Sequence, residues 1–301
     1  MLENTFDLIS RLKFFENKNI IETEQIADNK WKIKTEKNVF VIGLYEIELF
    51  KYIEVENKIA EALIKSNVDI LKIYDFGIMP DLNCSYKILD FRPEENLKEY
   101  ILNHDKKDNY NLGYKFGKIL YDLHNLNIDG EIVDWKNQFL TGLNLLLFNY
   151  GMIKESGVKD YLLLDHISEN KRLLVNTASN LLYTNLNYKN IRVYSGDKIN
   201  LRGLKTLKYG DGISDFIAIN TLSILSPHFS KAVVDGYNNG KNPPRKFFRL
   251  MSFYEACFLL DQLVKIRNNK NSELGEDEID KIINNYDNFT EFIPKWMNVD
   301  I

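Results

Sequence analysis

Strand-period and helix-period segments are sorted along this chain rather than mixed, and that sorting restricts the folds open to it. Alternating stretches at 20–26, 31–35 and 39–44 read as three short strands, joined by Asp28-Asn29-Lys30 and Glu36-Lys37-Asn38 as turns. A helix over 54–66 places Val55, Ile59, Ala62 and Leu63 at helical spacing, and Asn67 with the Asp69 turn ends it. Strands near 70–76 and 85–90 then flank the turn Met79-Pro80-Asp81-Leu82-Asn83. From Leu97 onward the pattern is mainly helical, with segments at 97–103, 110–125, 135–150, 158–170, 215–225, 227–237, 247–268 and 275–289. The shift predicts an α+β chain with two lobes. An N-lobe over 1–92 holds an N-terminal amphipathic helix (Leu2, Phe6, Ile9, Leu12, Phe15), a small sheet and one helix. A larger helical C-lobe covers 93–301, with the connection near Asp90 to Asn96.

Composition narrows the function classes. Apolar residues make up 45% of the 301, enough for a substantial core. Lys and Arg total 39 against 43 Asp and Glu, a net charge of -4, so no dedicated nucleic-acid surface is expected. The N-terminus carries acids where a signal peptide carries cations, and no apolar run approaches the ~20 residues that span a bilayer. Cytoplasmic placement is the resulting expectation. Cys84 and Cys257 stand in unrelated contexts without metal-ligand spacing, which disfavours disulfide and zinc chemistry.

Several strings then carry a resemblance. Tyr183-Thr184-Asn185-Leu186-Asn187-Tyr188-Lys189-Asn190-Ile191 is followed by Leu201-Arg202-Gly203-Leu204 and by Tyr209-Gly210-Asp211-Gly212-Ile213-Ser214-Asp215. The block is similar to the catalytic core of the aminoglycoside phosphotransferase and choline kinase family, which reads His-Gly-Asp-Leu-His-Pro-x-Asn-Ile, then Ile-Asp-Phe, then Gly-Asp-Pro-x-x-Asp-Leu. Residues 86–97 resemble that family's hinge. Phe116 to Leu126 resembles its helix ending Leu-x-x-Leu-His-x-Leu, and 286–296 looks like its C-terminus. The resemblance runs from about residue 20 to 297 and implies a protein-kinase-like fold: an antiparallel-sheet N-lobe and a mainly helical C-lobe.

Residue by residue, the resemblance implies a depleted active site. Phosphoryl transfer needs a cation on the phosphates, acids holding magnesium, and an acid orienting the attacking hydroxyl. The strand-three lysine position falls on Gly43, the catalytic aspartate on Asn185 and the metal-binding aspartate on Gly203. An amide at Asn185 accepts a hydrogen bond but holds no proton. Gly203 offers Mg²⁺ no anionic oxygen. The helix glutamate maps to Glu56, with Glu54 as the other choice, and either also reads as a solvated helix face. Asp90 and Phe91 fall at the hinge and, with Glu56, are the expected nucleotide contacts. Asn190 matches the family's magnesium-binding asparagine, although Asn185, Asn187 and Asn190 also read as turn formers. No glycine lies in the turn at 26–31, where backbone amides would meet a phosphate, and Asp28 there would repel one. Arg202 and Lys205 put positive charge beside Gly203, for phosphate or for solvent. Asp215 remains, to cap a helix and anchor the preceding loop.

The losses fall on chemical positions while fold-holding ones persist. That pattern implies a pseudokinase acting by binding a small molecule or a protein partner, with no cofactor required and room for weak, metal-independent nucleotide binding. Trp135, Phe139, Phe148 and Tyr150 offer material for the aromatic walls of a pocket, although most of them read first as helical core. The segment 239–246 reads as a basic surface loop. The rival expectation is an active ATP- or GTP-dependent phosphotransferase that recruits Asp211, or less readily Asp197 of the Ser195-Gly196 turn, as its metal ligand.

Overall fold

A computed structural model describes residues 9–66, 68, 70–128, 134–153, 156–183, 186–203 and 208–300. The expected helix over 1–16 lies largely outside them, and so do Asn67, Asp69, Asn185 and Lys205. The chain divides into two compact units: 1–95 together with 192–206, and 96–191 together with 207–301.

The first unit is built on strands β1 (Ile20–Ala27), β2 (Lys30–Thr35), β3 (Val39–Glu46), β4 (Ile73–Met79) and β5 (Cys84–Asp90), with helix α1 (Phe50–Lys65) between β3 and β4. They pair antiparallel in the order β1-β2-β3-β5-β4. Alternation assigns the two faces. Trp31, Ile33, Phe40, Ile42, Tyr86 and Ile88 share one face and pack with Ile9 and Phe15 into a core cluster. The other face carries Lys30, Gly43 and Lys87 in one cross-strand row, since Lys30 pairs with Gly43 and Gly43 with Lys87. Phe76 of β4 continues that row, and its ring meets Phe50 at the start of α1. Beyond the two-residue β6 (Glu95–Asn96), the chain returns to this unit through strands β8 (Ile191–Tyr194) and β9 (Lys198–Leu201). The turn between them uses Ser195 and Gly196 at φ 49° and 88°.

The second unit is helical: α2 (Leu97–Asn103), α3 (Lys106–His124), α4 (Trp135–Gly151), α5 (Val158–Asn170), α6 (Phe216–Ser223), α7 (Pro227–Tyr237), α8 (Arg245–Arg267) and α9 (Glu276–Asn285). Short strands β7 (Asn180–Leu181) and β10 (Tyr209–Gly210) pair antiparallel within it. Asn96 opens α2 with a reciprocal cap: its Oδ1 accepts from Glu99 N–H at 2.9 Å, and Glu99 Oε2 accepts from Asn96 N–H at 3.3 Å. Helices α3 and α7 meet through glycines. A Cβ at Gly113, Gly117 or Gly236 would overlap a backbone carbonyl of the facing helix. Helix α8 runs through the core, with Leu250, Met251, Phe253, Tyr254, Leu259 and Leu260 buried. The architecture is α+β and protein-kinase-like: an antiparallel five-stranded lobe and a larger helical one.

Candidate functional site

On the sheet of the first unit, Gly43, where the resemblance implies a lysine, has no room for a side chain. A Cβ there would overlap the phenol of Tyr45, which sits two residues along the same face. A cation stands on the next strand. Lys87, directly across from Gly43 on β5, places Nζ 2.6 Å from Glu56 Oε2 of α1. Both side chains are largely buried, 13% and 18% exposed, so Glu56 is one half of an ion pair rather than part of a solvated face. Glu54 is exposed on the same helix. The Lys87 ammonium also lies 5.5 Å from the Tyr45 ring centroid.

Lys30 flanks Gly43 on the other side. Burial pushes its ammonium down from the ordinary lysine value, and the charges of Arg202, Lys87 and Arg192 push it further; Glu94 acts weakly against them. Glu94 is buried and accepts hydrogen bonds from Asn200 Nδ2 at 2.7 Å and from Arg202. Next to Arg202, Gly203 has φ 78°, in the left-handed region that favours glycine.

At the end of β5, Phe91 N–H donates to Val39 O at 2.9 Å, so that amide is already used by the sheet. Asp90 Oδ2 lies 3.4 Å from the Arg92 guanidinium, which covers the ring of Tyr194 at 4.6 Å. These bonds tie both predicted nucleotide contacts, Asp90 and Phe91, into the structure of the first unit.

In the helical unit, Asp215 holds the segment that resembles a catalytic loop. Its Oδ2 accepts from the backbone N–H of Tyr183 at 2.6 Å and lies 3.1 Å from His124 Nε2, while His124 Nδ1 lies 2.9 Å from the Tyr237 hydroxyl. The expected anchoring role is met, but the expected capping is not: the Asp215 side chain caps nothing. Its carboxylate is turned back to the loop, and Asp211 makes the nearest cap by accepting from Ile213 N–H at 3.1 Å. The other oxygen of Asp211 accepts from Tyr254 O–H at 2.9 Å. Burial pushes the Asp211 carboxyl up, and these bonds only partly offset that. Asn190 uses its backbone, donating to Asn187 O at 3.0 Å and accepting from Tyr183 O–H at 3.1 Å.

The residues present fit a bound magnesium poorly. Gly203 offers no side-chain oxygen, each oxygen of Asp211 already accepts a hydrogen bond, and among the described residues no group of three His, Cys, Asp or Glu side chains converges as a metal site. Beside the anchored loop lies a pocket of about 590 Å³ lined by Leu186, Asn187, Lys189, Ser214, Thr221 and Phe258 among others. The four aromatics read from the sequence do not gather there. Trp135 Nε1 donates to Tyr254 O–H at 3.1 Å and Phe139 packs edge-on to Tyr254, whereas Phe148 is 66% exposed and Tyr150 O–H donates to Asp160 at 3.2 Å.

Sequence reading missed Lys87 and Lys30. The only signal for them was a lysine set among apolar residues in Tyr86-Lys87-Ile88-Leu89, together with the strand register that places it beside Gly43.

No protein-family model matches the chain, and no curated protein does. Solved structures do, and what they show is the fold, a protein-kinase-like one shared with aminoglycoside phosphotransferases and an amicoumacin kinase. Aminoglycoside 2'-phosphotransferase-IIIa, solved with GDP, aligns over 94% of this chain and 96% of its own with TM-score 0.60 at 11% identity. A thermostable mutant of aminoglycoside phosphotransferase APH(4)-Ia in its apo form aligns over 92% and 98% with TM-score 0.61 at 10% identity. An amicoumacin kinase, solved in complex with AMP-PNP, Ca²⁺ and Ami, aligns over 98% of both chains with TM-score 0.55 at 12% identity. At such identities the likeness is one of fold.

Proposed function

We propose that this protein is a kinase-fold binding protein that has given up metal-dependent phosphoryl transfer and takes a small molecule. The observation that carries the reading is at Gly203. Where the resemblance puts a metal-binding carboxylate, the chain has a glycine at φ 78°, and the charged side chain beside it is the cation Arg202, tied to Glu94. Asp211, the acid that an active enzyme would recruit, is buried and hydrogen-bonded through both oxygens.

Other features support retained binding. The Lys87–Glu56 pair keeps a lysine and a helix glutamate together although position 43 is empty. Asp215 keeps its hold on the loop at Tyr183. The pocket of about 590 Å³ beside that loop has the size of a small-molecule site and mixes apolar walls with Asn187, Lys189 and Ser214. Solved neighbours that carry GDP or AMP-PNP make nucleotides the first ligands to test.

The test is a thermal-shift titration with ATP and GTP, run with EDTA and with excess Mg²⁺, since a ligand that binds the folded state raises its apparent stability by mass action. The expected result is that Mg²⁺ adds nothing to whatever stabilisation the nucleotide gives. Stabilisation that appears only with Mg²⁺ overturns the reading.

A further inference from the structure

The lysines of β2 differ from one another in a way that singles out one of them. Lys34 lies across from Glu22 and Lys32 across from Glu24, and each forms the corresponding ion pair, at 3.7 Å and 3.0 Å. Lys30, on the same face, has Ala27 on one side and Gly43 on the other. It makes no ion pair or hydrogen bond among the described residues, although it is half-buried and surrounded by cations. An unneutralised ammonium in that setting costs stability unless something anionic joins it.

The surroundings repeat the imbalance. Lys30, Lys87, Arg192 and Arg202 come together with two carboxylates, Glu56 paired to Lys87 and Glu94 paired to Arg202. Two cations are left over. One is Lys30, and the other is Arg192, whose Nε is buried with no hydrogen-bond partner among the described residues. Buried donors of this kind normally have acceptors.

We propose that Lys30 and Lys87, one on each side of Gly43, together with Arg192 and Arg202, form a metal-independent binding site for a di- or triphosphate group. The site deepens the binding reading above and rests on it. Moving the lysine from position 43 to either neighbouring strand shifts its root by about one strand spacing, ~4.8 Å, which a four-carbon stem can recover. The Tyr45 ring occupies the space a side chain at position 43 would have used, so the two flanking lysines replace one central one. Two unneutralised cations can balance the charge that Mg²⁺ balances in an ordinary kinase site.

Isothermal titration with inorganic pyrophosphate in EDTA tests this, with ATP in EDTA as a second arm. The proposal expects pyrophosphate to bind without metal. Lys30→Met should weaken it by about tenfold or more, the order of one lost charge-assisted hydrogen bond. Lys34→Met, at the other end of the same strand, should change it by less than about twofold. Without ligand, Lys30→Met should be at least as stable as the parent, so that lost binding cannot be confused with lost folding. ATP binding more tightly than pyrophosphate would assign the phosphates to a nucleotide, and equal affinity to a free polyphosphate or phosphorylated metabolite; both support the site. Absence of pyrophosphate binding in EDTA, or an equal loss in Lys34→Met and Lys30→Met, overturns it. Magnesium-dependent turnover together with metal-free pyrophosphate binding would remove the proposed function and leave the site standing.

Discussion

At Gly203 the backbone has φ 78°, which an L side chain adopts at a cost of roughly 1–2 kcal/mol. Gly203→Ala is therefore expected to lower unfolding stability by about that amount, measured by urea denaturation. Gly203→Asp should lose somewhat less, since aspartate tolerates the left-handed region better than alanine, but the carboxylate that the resemblance puts there still works against this loop's geometry. Lys87 and Glu56 form an ion pair between strand β5 and helix α1. Both side chains are largely buried, so Lys87→Met alone strands a carboxylate and should destabilise by about 1–3 kcal/mol. Adding Glu56→Gln should recover part of the loss. A double-mutant cycle that gives no coupling between the two positions would contradict the pairing.

Helices α3 and α7 approach each other through Gly113, Gly117 and Gly236, where a methyl group would meet backbone carbonyls. Alanine is the better helix former by about 1 kcal/mol, yet Gly117→Ala should be net destabilising by about 1–3 kcal/mol, because overpacking against backbone outweighs propensity. Thermal unfolding of Gly117→Ala beside an exposed-glycine control, Gly142→Ala, separates the two effects, since nothing lies within 4 Å of a Cβ at Gly142. These contacts also mark how far the sequence could be read. Strand alternation at 20–44 and helical spacing after Leu97 were legible because they are local patterns. The Ser195-Gly196 hairpin and the anchoring role of Asp215 were legible for the same reason, one from turn chemistry and one from a motif. The partner of Glu56 was not, because it depends on register: Lys87 lies 44 positions beyond Gly43 in the chain and is its direct neighbour in the sheet. Nor could sequence tell that Asp211 is spent on Tyr254 and Ile213, or that Trp135 and Phe139 pack on α8. Those facts follow from three-dimensional packing, which spacing along the chain does not encode.

For the molecule as a whole, two buried groups contribute opposing responses of stability to pH. Burial pushes the Glu255 carboxyl up from 4.5 to about 8; Asn220 Nδ2 donates to one oxygen at 2.9 Å and the other has no hydrogen-bond partner among the described residues. Burial pushes His166 down from 6.5 to about 4, with its Nε2 3.0 Å from Ser252 Oγ. The folded state holds the Glu255 proton to higher pH than the unfolded chain does, so this group lowers stability as pH rises from 4.5 towards 8. His166 acts oppositely, raising stability as pH rises from about 4 to 6.5. The two oppose each other between pH 4.5 and 6.5, and above that range only Glu255 of the pair still acts. Stability should fall by about 1–2 kcal/mol between pH 6.5 and 8, and Glu255→Gln should flatten that decline in denaturant midpoints taken across the range. The central claim is that a protein-kinase-like fold has been kept without its metal-dependent reaction. Its most direct test is phosphate release from ATP and GTP by the purified full chain, followed with Mg²⁺ and after chelation by EDTA. The account predicts no release above the protein-free control in either condition. Saturable, Mg²⁺-dependent turnover that EDTA abolishes would contradict it.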